Sequence, residues 1–229
     1  MLVLAIDVGI LNLGLVQSEI DDDYRVHSVR YLDLIDLTVV RHNLVSVRDC
    51  RLHHSNMLVD RIQHMVQENY ALFDDSTYIL IERQPIMGLT NVEQVLCLLF
   101  RDKVQLVSPN SMHKFFGISG YTYEGRKDQT EKLVAPVLDQ IAPQSMVDRY
   151  TALERKHDVA DALCLTLFWV EMEQRVHEKA KQARLKEKES VRLREEARDA
   201  AGGLDADTLS VFSALVGKYT YTAQQNRKK

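Results

Sequence analysis

A charge near the start of the chain constrains the fold more than any other sequence feature. Residues 2–16 read LVLAIDVGILNLGLV, which is two apolar, β-compatible runs separated by a short turn. Asp7 lies at the end of the first run, where a buried hairpin would favour an apolar side chain, because an unpaired buried charge is costly. The pattern therefore predicts two strands, 2–8 and 13–18, and indicates that Asp7 serves something other than folding.

The remaining apolar patterns predict an α/β fold. With the first two strands included, the predicted elements follow the order β-β-β-α-β-α-β-α-α, which is typical of a mixed sheet flanked by helices. Thr90, with Glu93 three positions later, predicts a capping box at a helix start. The predicted elements after the first two strands are strands 25–36, 78–82 and KVQLV before Pro109, and helices 51–71, 90–101, 128–140 and one that begins near Glu154.

Composition limits the classes of function. The chain has 229 residues, of which 45 % are hydrophobic, and a formal net charge of −4, so any contact with nucleic acid must come from local basic patches. The number of cysteines is odd, and their spacing does not suit a metal site, so a disulfide framework is not expected. This favours a reducing, intracellular location over secretion; the cysteines are Cys50, Cys97 and Cys164. We expect no signal peptide, no contact with a membrane and no small-molecule cofactor.

A change of composition divides the chain near residue 170. From 171 to 199 basic and acidic residues are mixed and large apolar side chains are few, which predicts a long, solvated helix. Gly202 and Gly203 interrupt this pattern, and DADTLSVFSALVG then predicts a short amphipathic helix. We therefore expect a folded domain at 1–170 and a charged helical C-terminal extension at 171–229.

Carboxylates stand at three places where folding alone would favour apolar side chains. Asp7 and Glu82 end strands, and Asp158 and Asp161 lie three residues apart on one face of a helix that is otherwise turning apolar. Each has an ordinary explanation when taken alone. Asp7 could cap a turn, Glu82 could form an ion pair, and the two aspartates could interact with the helix dipole.

The combination indicates a metal site. Several carboxylates brought together out of water repel each other, and a divalent cation is the usual compensation. Mg²⁺ and Mn²⁺ prefer oxygen ligands, and two such ions about 3.5–4 Å apart can hold the attacking and leaving oxygens of a phosphodiester. Under this interpretation, Asp7 is a metal ligand held on a rigid strand.

Three motifs, in this order, resemble a known family: IDVGILNLG, ILIERQP and KHDVADAL. They are similar to the Holliday junction resolvases of the RuvC-like branch of the RNase H-like superfamily, above all those of poxviruses and other large DNA viruses. The resemblance extends over roughly residues 1–170. It implies an RNase H-like mixed five-stranded sheet, with antiparallel β1-β2-β3 followed by parallel strands. It also implies a homodimer that nicks four-way DNA junctions symmetrically with Mg²⁺.

The resemblance also implies the site residues. By motif position, the family's catalytic and metal-binding places fall on Asp7, Glu82, Asp158 and Asp161. Two Mg²⁺ ions per site are expected, with Mn²⁺ as a substitute. The family's order of lysine, glycine and second lysine is matched by Lys114, Gly120 and Lys127. Lys127 is expected to contact phosphate or the charge that develops in the transition state, whereas Lys114 could bind DNA or be an ordinary surface lysine.

Further residues are candidates for contact with DNA. Tyr121 and Tyr123 could stack on unpaired bases of a junction or could pack within their own loop. Arg83 and Gln84 follow the strand YILIE and could meet the DNA backbone. His157 could orient a neighbouring carboxylate, touch the scissile phosphate or face solvent.

The helix predicted at 90–101 has an apolar stripe that is core by default. In the family this helix also contributes to the dimer interface, so part of the stripe is expected to face a second subunit. The candidates for that interface are Val92, Val95, Leu96 and Leu99.

Three other functions remain open at this stage. DVGILNLG after a first strand also suits the phosphate-binding hairpin of actin-like and sugar-kinase ATPases, but these need a second nucleotide-binding lobe. A different RNase H-like nuclease, acting on RNA–DNA hybrids or flaps, would use the same carboxylates. A protein that only binds junctions would not need all four of them.

Overall fold

The computed structural model describes residues 1–38 and 57–201, with side chains described as far as 199. The chain separates into two compact units, Met1–Arg175 and Val176–Lys229. Cys50, residues 51–56 of the helix predicted at 51–71, and the short helix predicted after Gly203 lie outside the described residues.

Five strands of the described residues form one mixed sheet in the first unit. Their order is β3-β2-β1-β4-β5, in which β2 is antiparallel to β1 and to β3, whereas β4 is parallel to β1 and β5 to β4. The predicted fold class is therefore confirmed. The strands are β1 (Leu2–Asp7), β2 (Leu13–Ile20), β3 (Val26–Ile35), β4 (Tyr78–Glu82) and β5 (Val104–Val107).

Helices cover both faces of the sheet. None of the described helices combines the length and the apolar character needed to cross a bilayer. The helices are α1 (Leu58–Glu68), α2 (Tyr70–Asp75), α3 (Thr90–Leu99), α4 (Pro109–Phe115), α5 (Tyr123–Ile141), α6 (Gln144–Ala152) and α7 (Lys156–Ala201).

The alternation of side chains along β1 shows how the core is divided. Val3 and Ala5 belong to an apolar cluster shared with α5, α6 and the first part of α7, whereas Leu4 and Ile6 belong to a second cluster shared with α1, α2 and α3. This division follows the two-residue period of a strand. Because both faces are buried, the ends of β1 and β4 are held on a rigid support.

Two predictions about helix termini are wrong. The expected capping box at Thr90 does not form, since Leu89 is the N-cap of α3 and no side chain caps it. Instead, Glu93 Oε2 accepts the backbone N–H of Gln84 at 2.6 Å. The helix predicted at 51–71 does not continue to residue 71. Helix α1 stops at Glu68, and a separate helix, α2, begins at Tyr70.

The segment between β5 and α7 is more helical than predicted. Helix α5 begins at Tyr123 rather than 128, because the hydroxyl of Thr122 accepts the backbone N–H of Gly125 and caps it. Helix α6 was not predicted, and it begins directly after Pro143, whose fixed φ suits a helix start. Lys127 consequently lies inside a helix and not at its first position.

The apolar stripe on α3 is mostly used within the chain itself. Val92 and Leu96 are completely buried in the second core cluster, and Val95 is partly buried against it. Leu98 and Leu99 are 73 % and 40 % exposed, so these two leucines form the accessible apolar surface of α3. The prediction that Val92 and Leu96 face a partner is therefore wrong.

Candidate active site

Two carboxylates meet at one edge of the sheet because β1 and β4 are parallel neighbours. Asp7 is the last residue of β1 and Glu82 the last residue of β4. Their carboxyl groups are close enough for each to affect the pKa of the other.

The first two turns of α7 add the second pair. Asp158 and Asp161 lie three residues apart and so share a face of the helix. The helix can approach the sheet because Gly14, which pairs with Asp7 across β1 and β2, has no side chain. A Cβ at Gly14 would lie 2.2 Å from the backbone oxygen of Asp158. All four carboxylates line one cleft of about 500 Å³.

Burial and mutual repulsion raise the pKa of three of these carboxyls. Burial, followed by the charges of Glu82, Asp161 and Asp158, raises the pKa of Asp7 well above its ordinary value. Burial and the charge of Glu82 raise the pKa of Asp161 to about 7. Burial also raises the pKa of Glu82. The cleft therefore concentrates negative charge that a bound cation would neutralise.

Asp158 has a cationic partner. It is buried, and its Oδ2 accepts a hydrogen bond of 2.9 Å from Arg155 Nε. His157 Nε2 lies 3.2 Å from the other oxygen, Oδ1, without the geometry of a hydrogen bond. His157 Nδ1 lies 3.7 Å from Glu131, so this histidine faces carboxylates rather than open solvent.

Lys127 lies in the second turn of α5 and lines the cleft. Its Nζ is 4.1 Å from the centroid of the Tyr123 ring, an arrangement in which the ring attracts the cation. Its positive charge lowers the pKa of Asp161 in opposition to burial. The structure thus brings Lys127 and Tyr123 to the four carboxylates.

The other residues proposed to contact DNA lie outside the cleft or have partners. Lys114, Tyr121 and Arg83 are exposed and do not line it. The side-chain amide of Gln84 donates to Glu82 Oε2 at 2.8 Å, so it supports a carboxylate instead of extending toward a ligand.

Sequence reasoning missed three groups that line the cleft. Arg155, Arg126 and His113 all do so. Arg126 also donates to the backbone oxygen of Tyr121 at 2.9 Å. Arg155 stands three residues before Asp158, and this i,i+3 spacing was the available signal. The neighbouring charges in LERKHD made the Arg155–Asp158 pair one of several possible ion pairs.

The donor set fits a hard divalent cation. It consists of carboxylate oxygens, which Mg²⁺ and Mn²⁺ prefer. Burial, with the charges of neighbouring carboxylates, raises the pKa values of Asp7, Glu82 and Asp161, so a cation bound there would favour their ionised forms. As the side chains stand, no three His, Cys, Asp or Glu groups within the described ranges are arranged to ligate one ion. One oxygen of the group, Asp158 Oδ2, already accepts a hydrogen bond from Arg155 Nε.

Comparisons with known proteins agree with this fold. The chain matches the family model described as poxvirus A22 protein over residues 1–174. The crystal structure of the fowlpox virus resolvase with Holliday junction DNA has a TM-score of 0.56 at 15 % identity, and the match covers 75 % of this chain and 98 % of that one. The yeast mitochondrial Holliday junction resolvase Ydc2 gives a TM-score of 0.54 at 16 % identity, with 80 % and 85 % coverage. No curated protein sequence matches the chain.

The fold is the one found in these Holliday junction resolvases. Within that fold class, the chain belongs to the poxvirus A22 protein family.

Proposed function

We propose that this chain is a metal-dependent endonuclease that resolves four-way DNA junctions by hydrolysing phosphodiester bonds. The observation that carries the proposal is the convergence of four carboxylates, from two strand ends and one helix, on a single cleft. Membership of the poxvirus A22 family and the fold shared with junction resolvases support the choice of substrate.

Asp7, Glu82, Asp158 and Asp161 would hold the cations, for which we propose two Mg²⁺ ions with Mn²⁺ as a substitute. Divalent cations bound there supply Lewis-acid activation of the attacking water and stabilisation of the leaving oxygen. The raised pKa values of Asp7 and Asp161 support this assignment, because a bound cation would offset the burial and the repulsion that raise them.

Other residues of the site orient the carboxylates or supply positive charge. Asp7, at the end of a buried strand, fixes the centre of the carboxylate group. Lys127 supplies a positive charge on the opposite element, α5, where it can pair with a non-bridging phosphate oxygen and offset the negative charge that develops during cleavage. Arg155 holds Asp158 Oδ2 and thereby limits the rotation of that carboxylate.

DNA contact is proposed to extend outward from the cleft. Arg126, Lys127 and Arg155 place three cationic side chains along it, although the chain as a whole has a net charge of −4. Phosphate contacts of this kind position a duplex without reading its sequence. Tyr123 at the rim, with Lys114, Tyr121 and Arg83 farther out, would contact the arms of a junction.

A homodimer is proposed because the substrate has two-fold symmetry. One cleft per chain can cut one strand, whereas a two-fold dimer presents two identical clefts to the two symmetry-related strands of a junction. The exposed leucines of α3, Leu98 and Leu99, are accessible for such an interface.

The proposal is tested by incubating the protein with labelled four-way junction, linear duplex, flap and RNA–DNA hybrid, with Mg²⁺ and in EDTA. We expect Mg²⁺-dependent cleavage of the junction above all. Asp7→Asn should bind the junction and fail to cut it, because binding rests on phosphate contacts elsewhere. Asp139→Asn, which changes an exposed aspartate of α5 far along the helix from the cleft, is the matched control and should cut normally.

Two results would contradict the proposal. Normal nicking by Asp7→Asn would remove Asp7 from the metal site. Preferential cutting of the RNA–DNA hybrid or flap would keep the chemistry and reject the substrate.

A further inference from the structure

Glu82 is oriented by a neighbour two residues along the chain. Gln84 Nε2 donates a hydrogen bond of 2.8 Å to Glu82 Oε2 and lies 3.4 Å from the backbone oxygen of the same residue. The amide thus holds one carboxylate oxygen of Glu82 in a defined direction, immediately after β4 ends.

Gln84 is in turn held by helix α3. Its backbone N–H donates to Glu93 Oε2 at 2.6 Å. Glu93 lies in the first turn of α3, where a carboxylate ordinarily serves the N-terminus of its own helix, but the N-cap of α3 has no side-chain hydrogen bond. The carboxylate of Glu93 is used across the loop, on the segment that carries Gln84.

The turn between Gln84 and α3 limits the movement of the amide. Gly88 N–H donates to the Pro85 oxygen at 2.7 Å, which closes the turn. A Cβ at Gly88 would lie 3.1 Å from Gln84 Oε1 and 2.9 Å from Pro85 Cδ. The side chain of Gln84 therefore packs against the turn on one side and bonds to Glu82 on the other.

The hydrogen bond, rather than the charge, explains a carboxylate at position 93. The negative charge of Glu93 is unfavourable for Glu82, because it adds to the effect of burial in raising the pKa of Glu82. A carboxylate nevertheless accepts an N–H more strongly than a neutral oxygen does, so it holds the segment more firmly.

We propose that Glu93 is a positioning residue for Glu82 and that it acts through Gln84. This relay, Glu93 to Gln84 to Glu82, sets how readily the cleft binds a divalent cation. The inference rests on the proposed function for the identity of the ion-binding carboxylates. Partners that orient a ligand in this way commonly change metal affinity by about tenfold to a hundredfold when they are removed.

The test compares Glu93→Ala, Glu93→Gln and Gln84→Ala with wild type. Gln94→Ala is the matched control, because Gln94 is the exposed neighbour of Glu93 on α3. Mn²⁺ affinity is measured by titration of the protein without DNA, and the Mg²⁺ concentration for half-maximal junction cleavage is measured separately. Glu93→Ala and Gln84→Ala should weaken Mn²⁺ binding roughly tenfold or more and raise the Mg²⁺ requirement by a similar factor. Glu93→Gln should recover part of the loss, and Gln94→Ala should match wild type.

Mn²⁺ affinity equal to wild type in both alanine variants would overturn the relay. Equal defects in Glu93→Gln and Glu93→Ala would also overturn it, because loss of charge alone would then explain the effect. If circular dichroism shows that Glu93→Ala is unfolded, Gln84→Ala decides the question, since it leaves α3 unchanged. A wild-type protein that binds Mn²⁺ but cuts no junction would refute the proposed function, while the Mn²⁺ affinities would still decide the relay.

Discussion

Single carboxylates in the cleft affect the stability of the folded chain. A carboxyl whose pKa is higher in the folded than in the unfolded chain makes the folded state relatively less stable as pH rises between the two values. For Asp161 the ordinary value is 3.8 and the folded value is about 7. The cost is therefore absent in strong acid, grows between these values and is constant above about pH 7.

Asp161→Asn should consequently stabilise the metal-free protein. The gain in free energy of unfolding should be small near pH 4 and largest above about pH 7, because only ionised Asp161 is destabilised by burial and repelled by Glu82. Melting temperatures in EDTA at several pH values measure it. Asp139→Asn, the exposed control, should show no such trend. A gain that is independent of pH, or a loss at neutral pH, would contradict the electrostatic explanation.

Gly14 controls the distance between the sheet and α7. In Gly14→Ala the new methyl group would meet the Asp158 backbone oxygen at 2.2 Å, so α7 must move or the strand must bend. Such overpacking typically costs about 1–3 kcal/mol, and here it also displaces Asp158 and Asp161 from the strand-end pair. We expect a lower melting temperature and at least partial loss of cleavage.

Gly120→Ala is the matched control for this substitution. A Cβ at Gly120 would meet nothing within 4 Å, and its stability should be within about 0.5 kcal/mol of wild type, as for most surface changes. A stable, fully active Gly14→Ala variant would show that the close approach does not position the metal ligands.

At this scale, sequence reasoning located the carboxylates but not their partners. Asp7 and Glu82 could be predicted because a charge that ends an apolar strand is conspicuous, and the structure brings both to the cleft. Arg155 could not be singled out, because it stands in a charged stretch with several equivalent partners. Glu93 was assigned to a capping box with Thr90 and not to the backbone N–H of Gln84 that it accepts. Their roles depend on where a loop returns, which periodicity does not reveal.

At the scale of elements, strands were easier to predict than helix boundaries. Continuous apolar runs such as YILIE have few alternatives to a buried strand. Helix α6 was missed because it is short and contributes only Tyr150 as a fully buried residue, so it leaves little periodicity in the sequence. The start of α5 was missed because Thr122 lies among glycines and tyrosines that favour a loop.

Helix α7 offers a test of the predicted extension. It runs without interruption from Lys156 to Ala201, while the first compact unit ends at Arg175. The last contacts described in that unit include Gln174 Nε2 with the Asp23 backbone oxygen at 3.0 Å and Arg175 over the Phe115 ring at 5.5 Å. In the sequence, residues 176–229 follow every candidate catalytic residue.

A chain truncated after Arg175 should therefore fold and cut junctions at a rate close to wild type. Its affinity for DNA should be lower at low salt, because the removed segment ends in Arg-Lys-Lys and such contacts are salt-dependent. Circular dichroism, cleavage rates and binding at two salt concentrations measure these effects. Loss of cleavage in a truncated protein that remains folded and dimeric would show that the extension contributes to the chemistry.

For the whole molecule, the symmetry of the substrate determines what the protein must do. A junction is resolved productively only when two strands are cut at symmetric positions, and a homodimer can make both cuts while bound once. We predict a dimer in solution and paired nicks that leave ligatable ends. Light scattering gives the oligomeric state, and cruciform plasmids report whether both nicks occur within one binding event.

Two substitutions on α3 separate assembly from folding. Leu98 is 73 % exposed, so Leu98→Glu should leave the chain folded and weaken the dimer, which would uncouple the two nicks. Leu96 is fully buried, and Leu96→Glu should instead unfold the chain, since it removes core packing worth about 2–5 kcal/mol and buries a charge. A Leu98→Glu variant that is a folded monomer, yet still makes both nicks during one bound complex, would refute the link between dimerisation and paired cleavage. A wild-type protein that is monomeric and binds junctions one to one would contradict it independently.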